Sequence, residues 1–346
     1  MNVPTNLETT AGRSGGVLSV IVPVFNEIEA LREFHTRLAR TLEALDLSAE
    51  VLYVNDGSTD GSLDLLRDLR ALDRRVGIVD LSRNFGKEAA MTAGLDHARG
   101  DAVVIIDADL QDPPELITEL VRQWRRGFDV VYAQRVARDG ETPIKKFTAY
   151  LFYRLIQRTN RVRVPLDTGD YRLLSRRAVD SLMKLRETHR FMKGLFAWIG
   201  HPQIAVPYHR DRRVAGATKF NYWRLWNFAI EGFTSFTIAP LKIATYMGIV
   251  IAGYAFIYAT WIIVRTLLRG DPVPGYPSLL VVILLLGGVQ LITIGVLGEY
   301  VGRMFNETKQ RPLYLLNEYA PGDFKDAHTA DQDATPAFSG IESTRT

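Results

Sequence analysis

The sequence predicts an α/β fold with a mainly parallel sheet, followed by two apolar helices long enough to span a bilayer. Three observations predict it. Between residues 17 and 133, short β-rich runs alternate with helix-period patterns, the rhythm of strand–helix–strand units. Several of those runs stop abruptly at carboxylates and amides, the place where an open parallel sheet binds its ligands. Further on, residues 243–264 and 279–298 carry no Lys, Arg, Asp or Glu.

Taken in order, residues 1–16 are polar, lack the apolar core of a signal peptide and are expected to be disordered. Residues 17–24, 50–55, 76–81, 102–107 and 129–133 read as strands, and 28–45, 61–72, 87–98 and 114–126 as the helices between them. Within 144–158, Ile144, Phe147, Leu151, Phe152, Leu155 and Ile156 form one helical face, with Lys145, Lys146, Arg154 and Arg158 available to lipid headgroups. A second amphipathic segment, 221–236, sets Arg224, Asn227, Glu231 and Ser235 opposite Tyr222, Trp226 and Phe233. Both read as interfacial helices at a membrane surface, with packing against the globular domain as the alternative. The domain plan is therefore a catalytic-type domain over 17–220, a juxtamembrane helix over 221–240, a two-span unit over 241–300 and a C-terminal segment over 301–346.

Each apolar stretch holds about 20 residues or more, enough for a hydrocarbon core of ~30 Å. The connector, Gly270-Asp271-Pro272-Val273-Pro274-Gly275-Tyr276-Pro277, is rich in turn formers. Arg265 and Arg269 flank it, whereas Arg224, Lys242, Arg303, Lys309 and Arg311 lie at the other ends of the spans. The positive-inside rule places that second side, with both termini and all of 1–242, in the cytoplasm. The tail 319–346 is polar, without apolar periodicity, and is expected to be disordered.

Composition narrows the chemistry. With 346 residues the chain holds one large domain and something extra. Its net charge of +3 and pI near 9.0 suit an anionic membrane surface better than a nucleic-acid groove, and no aromatic and basic nucleic-acid motif stands out. No cysteine is present and the six histidines show no ligand spacing, so neither thiol nor zinc chemistry has a basis. The first strand is not followed by Gly-x-Gly-x-x-Gly, and there is no Walker A loop.

The acidic run Asp107-Ala108-Asp109-Leu110-Gln111-Asp112-Pro113-Pro114-Glu115 follows the apolar segment 102–106 directly. Carboxylates at a strand end suit Mg²⁺ or Mn²⁺ holding phosphates, because these hard ions take one or two protein carboxylates and fill their shells with water and substrate oxygens. The alternative is a polar loop in which Asp112 caps the next helix ahead of Pro113 and Pro114. Two more strands end on polar groups suited to a base or ribose, Val20 through Pro23, Phe25, Asn26 and Glu27, and Val54-Asn55-Asp56-Gly57-Ser58-Thr59-Asp60-Gly61-Ser62. Loops that begin helices would look the same.

Three such strand ends in this order resemble the GT-A domain of family 2 glycosyltransferases, over residues 18–219. Longer matches narrow the resemblance to bacterial polyprenyl-phosphate hexosyltransferases of the bactoprenol glucosyltransferase type. They are Ser82-Arg83-Asn84-Phe85-Gly86-Lys87-Glu88, the acidic run, and Arg190-Phe191-Met192-Lys193-Gly194-Leu195-Phe196-Ala197-Trp198, together with the two C-terminal spans. Dolichol-phosphate mannose synthases are similar but more distant. The resemblance implies that Pro23, Phe25, Glu27 and Asp56 hold the nucleotide, that Asp107 holds the nucleotide-sugar, and that Asp109 and Gln111 bind the metal. In Arg213-Val214-Ala215-Gly216-Ala217-Thr218-Lys219-Phe220 it implies a basic loop closing on donor phosphates through Lys219, with Thr218 where the family often has Ser. Arg135 and Lys146 are candidates for gripping the acceptor phosphate. A carboxylate in Asp167-Thr168-Gly169-Asp170-Tyr171-Arg172 is the family's base, and Asp170 is preferred to Asp167.

The implied activity is inverting transfer of a hexose, glucose from UDP-glucose, to undecaprenyl phosphate at the cytoplasmic membrane face for cell-envelope glycan modification. Its partners are a nucleotide-sugar donor, a polyprenyl phosphate acceptor and membrane lipid, with no nucleic acid; assembly into a homo-oligomer stays open. The alternatives are a mannose or other sugar transferase, a processive polysaccharide synthase, and a non-catalytic membrane sensor that binds nucleotide-sugar. A processive synthase would normally carry a Gln-x-x-Arg-Trp motif, which is absent.

Overall fold

The structure is a computed structural model that describes residues 16–136, 168–188, 190–208, 239–269 and 275–323. Its main body is an eight-stranded sheet covered by helices on both faces. In chain order the elements are β1 (Val17–Val24), α1 (Ile28–Glu43), β2 (Ser48–Asn55), α2 (Ser62–Leu72), β3 (Val76–Leu81), α3 (Lys87–His97) and β4 (Ala102–Ile105). A short 3₁₀ turn (Pro114–Leu116) leads into α4 (Ile117–Arg125), and β5 (Val130–Arg135), β6 (Thr168–Ser175), α5 (Arg176–Met183), α6 (Met192–Trp198) and β7 (Gln203–Tyr208) follow. Two long helices, α7 (Ala239–Arg269) and α8 (Tyr276–Thr308), precede a final strand β8 (Leu316–Ala320).

The sheet order is β7-β5-β6-β4-β1-β2-β3-β8. β1 pairs in parallel with both β2 and β4, and β2 with β3, so these four form a parallel core. β6 runs antiparallel between β4 and β5, and β8 runs antiparallel along β3. Near-continuous apolar runs such as Val17-Leu18-Ser19-Val20-Ile21-Val22 suit strands buried on both faces. Alternation then divides the core: Leu18, Val20, Val22 and Val24 pack beneath α1, α2 and α4, while Ile21, with Leu52 and Val54, packs against α3, α5 and α6. α3 lies so close to β1 that a Cβ on Gly94 would sit 2.3 Å from the Ile21 Cγ2. A glycine there is what permits the approach.

After β1 the chain moves outward through β2 and β3, then returns to place β4 on the other side of β1. This reversal opens a crevice at the carboxyl ends of β1 and β4, the usual ligand position in an open α/β sheet. The sequence motifs ending at Glu27 and beginning at Asp107 stand at its two sides.

Several expectations need correcting. Tyr319 and Ala320 belong to β8 and not to a disordered tail, because the segment after α8 supplies the edge partner for β3. Asp112 does not cap a helix; Pro113 occupies the cap position, with no side-chain cap bond, and Asp112 accepts a hydrogen bond from the Tyr208 hydroxyl. Arg135 is the last residue of β5, and β5 is followed by three further strands. The amphipathic segments 144–158 and 221–236, residues 1–15, most of the connector and the tail beyond residue 323 lie outside the described residues.

Candidate active site

The end of β1 is shaped by Asn26, which adopts a left-handed backbone (φ 56°) and ties the β1 and β2 loops together. Its amide donates to the Ser58 hydroxyl (3.1 Å), and its side-chain oxygen accepts from the Thr59 amide (2.8 Å). The Glu27 amide donates to the Ser62 hydroxyl (3.2 Å), and the Ile28 amide to Asp60 (3.1 Å). Asx- and Ser-type bonds of this kind hold loops that have no ladder of their own. Gly57 is needed in the same loop: its φ is +68°, and a Cβ there would meet the Arg83 carbonyl carbon at 2.6 Å.

Asp56 is nearly fully buried and braces the neighbouring loop. Its two carboxylate oxygens accept from the amides of Phe85 (2.7 Å) and Gly86 (3.0 Å). Burial pushes its carboxyl above the ordinary range, against the opposing pull of those amides and of Arg83. Around these loops a cleft of about 320 Å³ is lined by Pro23, Phe25, Glu27, Asp56, Asn84, Gly86, Lys87, Asp107 and Asp109, among others. All four residues assigned to the nucleotide, together with Asp107 and Asp109, thus converge. Phe25 is 46% exposed, which leaves its ring available for stacking.

Lys87, the first residue of α3, has no assigned role in the sequence reading, yet it stands at the centre of the site. Its Nζ lies 2.7 Å from Asp107 Oδ2 and 2.7 Å from Asp170 Oδ2. The cation therefore joins the acidic turn after β4 to the carboxylate on β6. Burial pulls its pKa down, but the two carboxylates more than offset this and raise it. Asp170 shows the converse balance: burial raises its pKa, and Lys87 first, then Lys193 and Arg172, bring it below the ordinary carboxylate range. Among the described residues, one oxygen of Asp170 is buried without a hydrogen-bond partner.

The two longer motifs meet behind this pair. The Met192 amide donates to Glu88 Oε2 (3.1 Å), and burial, then the Asp170 charge, push Glu88 up to about 7. Arg172 is buried under the Phe196 ring at 3.8 Å and donates to the Gly169 carbonyl (2.7 Å). Burial lowers its pKa to about 10, so it remains a cation at neutral pH. Arg135 donates to the Tyr208 hydroxyl (3.3 Å), whose own proton goes to Asp112, and it lies beside Gly169 on the Asp170 strand.

A divalent cation fits the donors that the cleft presents. Asp109 supplies a carboxylate there, which suffices when substrate and water oxygens complete the shell. Gln111 follows in the same turn and donates its backbone amide to Asp109 Oδ1 (3.1 Å), while its side chain is not among those lining the cleft. Lys146, Lys219 and Thr218 lie outside the described residues. The motif containing Lys87 was visible in sequence, but its partners lie 20 and 83 residues away, a convergence that only the folded sheet reveals.

Comparison with known proteins finds relatives along most of the chain. Residues 19–183 match the model of glycosyl transferase family 2, and residues 239–304 match the GtrB C-terminal hairpin. The chain is 46% identical over 306 residues to the SfII prophage-derived bactoprenol glucosyl transferase of Shigella flexneri, covering 88% of this chain and 99% of that protein. It is 46% identical over 299 residues to the prophage bactoprenol glucosyl transferase homolog of Escherichia coli K12, covering 86% and 98%. An uncharacterized glycosyltransferase of Synechocystis is 51% identical over 301 residues, covering 87% and 95%. A sheet with a parallel core, a cleft at its switch point and a following helical hairpin thus come with identity along nearly the whole chain: the protein is a glycosyltransferase of family 2, of the bactoprenol glucosyltransferase type.

Proposed function

We propose that this enzyme transfers glucose from UDP-glucose to undecaprenyl phosphate at the cytoplasmic face of a bacterial inner membrane, with inversion at the anomeric carbon. The observation that carries this reading is the meeting of Phe25, Glu27, Asp56, Asp107 and Asp109 around one cleft, with Lys87 joining Asp107 to Asp170. The relatives that supply the acceptor class are named for bactoprenol, and they match this chain along nearly their whole length.

In this reading the nucleotide lies against Pro23, Phe25, Glu27 and Asp56. Asp107 holds the nucleotide-sugar. Asp109, braced by the Gln111 amide, is the carboxylate for Mg²⁺ or Mn²⁺, which when bound neutralises charge on the departing nucleoside diphosphate. Lys219 closes over the donor phosphates. Arg135 and Lys146 grip the acceptor phosphate, whose oxygen forms the new bond to the anomeric carbon as the bond from that carbon to the diphosphate breaks. A phosphate monoester has a second pKa of about 6 and needs little help to lose its proton at neutral pH. Asp170, held ionised by Lys87, is a poor proton acceptor. It orients the acceptor or the Arg172 guanidinium, with one carboxylate oxygen that accepts from none of the described residues.

The helical hairpin brings the site to a substrate that cannot leave the bilayer. Among the described residues one stretch, Leu285–Thr308, is long and apolar enough by itself to cross a membrane. Along α7, Val250, Tyr254 and Phe256 are 70%, 69% and 75% exposed, an apolar surface that water would penalise and lipid would cover. Both helices span the bilayer in this reading, with the connector outside.

Purified full-length protein, incubated with undecaprenyl phosphate, Mg²⁺ or Mn²⁺ and a panel of radiolabelled nucleotide-sugars, tests the assignment. Label should pass to the lipid from UDP-glucose in preference to the other donors. Preferred transfer from GDP-mannose would reassign the sugar, and no lipid-linked label from any donor would refute the transfer.

A further inference from the structure

The segment after α8 is joined to the donor cleft by side chains as well as by strand pairing. β8 lies antiparallel to β3, with Asp80 opposite Glu318 and Leu81 opposite Leu316. The register shifts between those pairs, so Asn317 is an extra residue with no opposite partner. Bulges of this kind turn a side chain away from its regular direction. Here the Asn317 side-chain amide donates to Asp80 Oδ2 (2.8 Å). Asp80 is buried, and its other oxygen accepts from the Asn55 side-chain amide (2.7 Å). Asn55 in turn accepts at its side-chain oxygen from the Ser58 amide (3.2 Å), and the Ser58 hydroxyl receives the Asn26 amide (3.1 Å). Four hydrogen bonds thus lead from the bulge to the loops that frame the cleft.

The strand is fastened well enough to act as a reference. The Ser82 amide donates to the Leu315 carbonyl (2.9 Å), Arg67 meets Glu318 (3.2 Å), and Arg99 donates to the Gly322 carbonyl (2.8 Å). Neither matched family region extends to the C-terminal residues 315–322. We propose that Asn317, on the strand that follows the helical hairpin, is a positioning residue for the donor nucleotide, acting through Asp80 and Asn55 on the loop after β2. The proposal rests on the reading of that cleft as the nucleotide site. Losing Asn317 leaves a buried carboxylate with one donor fewer, and the relaxation falls on Asn55, whose far side holds the Ser58 turn.

The test is calorimetric titration of UDP, and of GDP as control, into full-length protein in lipid nanodiscs with Mg²⁺, alongside KM for undecaprenyl phosphate and the thermal midpoint. Asn317→Ala should weaken UDP binding roughly three- to tenfold, with KM for the lipid unchanged. Asn317→Asp should weaken it further, since two carboxylates then face each other. The exchange Asp80→Asn with Asn317→Asp should restore affinity, because the amide introduced on β3 then accepts from Asn55 and donates to the carboxylate introduced on β8. Unchanged UDP affinity in Asn317→Ala, equal loss toward donor and lipid, or failure of the exchange to restore binding would overturn the proposal. If Asn317→Ala does not fold, the comparison of Asn317→Asp with the exchange decides in the same way. Wild-type protein that binds no nucleoside diphosphate would overturn the nucleotide-cleft reading and this one with it, whereas normal wild-type binding with an indifferent Asn317 would remove this one alone.

Discussion

Lys87 sets the electrostatics of the site by holding Asp107 and Asp170 within 2.7 Å of one ammonium. An ionised, cation-paired Asp170 is placed to accept a hydrogen bond and has little affinity for a proton. Asp170→Asn is therefore expected to reduce kcat by a factor that stays constant from pH 5 to pH 8, a range that spans the ionisation of the acceptor phosphate at about 6. A general base contributes about 10² to 10⁴-fold, and if Asp170 were one, the deficit would shrink as rising pH ionised the acceptor phosphate without help. Steady-state rates of mutant and wild type across that range separate the two roles. Glu88 offers a second pH signature. Its carboxyl, raised from 4.5 to about 7 by burial and by Asp170, binds a proton more tightly in the folded protein than in the unfolded chain. Stability is thus lost as pH rises from the unfolded value through about 7, by up to roughly 3 kcal/mol above it. Glu88→Gln keeps an acceptor for the Met192 amide and removes that penalty. Its thermal midpoint should match wild type near pH 5 and exceed it at pH 8; a pH-independent difference would contradict this origin.

At the scale of elements, β8 is the strand whose loss should be felt most locally. Truncation after Gln310 removes the antiparallel partner of β3, and hydrogen exchange should then show faster exchange in residues 76–81, while β1 amides stay protected between β2 and β4. Unchanged protection of β3 would mean that β8 does not pair with it in solution. The same strand shows where sequence reading runs out. β1 and β3 were legible to the residue because buried parallel strands are apolar from end to end. Leu316-Asn-Glu-Tyr-Ala320 is mostly exposed and polar, and only its pairing with a strand some 240 residues earlier makes it a strand. β6 hid for a related reason. Thr168-Gly-Asp-Tyr-Arg opens it with polar residues that read as a catalytic loop, and they form the start of the strand that carries Asp170 to Lys87. Asp107, Asp109, Asp56, Phe25 and Glu27 were legible because each ends an apolar run. Lys87 was not, since an ion pair from a helix start to a distant turn and strand leaves no local pattern.

At the scale of the whole molecule, the chain leaves the sheet through the α7–α8 hairpin and returns from α8 to complete the sheet at β8. Basic residues flanking the spans predict that a tag inserted between α7 and α8 is reached by an impermeant reagent from the periplasm, while tags at either terminus are shielded until the membrane is opened. Labelling of the termini in intact spheroplasts would invert the topology. The central claim is that the cleft carries one metal-assisted hexosyl transfer to a lipid phosphate. It is tested most directly by mass spectrometry and NMR of the lipid product formed from UDP-glucose and undecaprenyl phosphate, by wild-type protein and by Asp109→Asn. Wild type should yield the lipid phosphate carrying a single hexose, with an anomeric configuration opposite to the donor's. The variant, whose amide gives a hard cation no negative charge, should yield none in saturating Mg²⁺ or Mn²⁺. A retained configuration, a polymeric product, or full activity of Asp109→Asn would contradict the account.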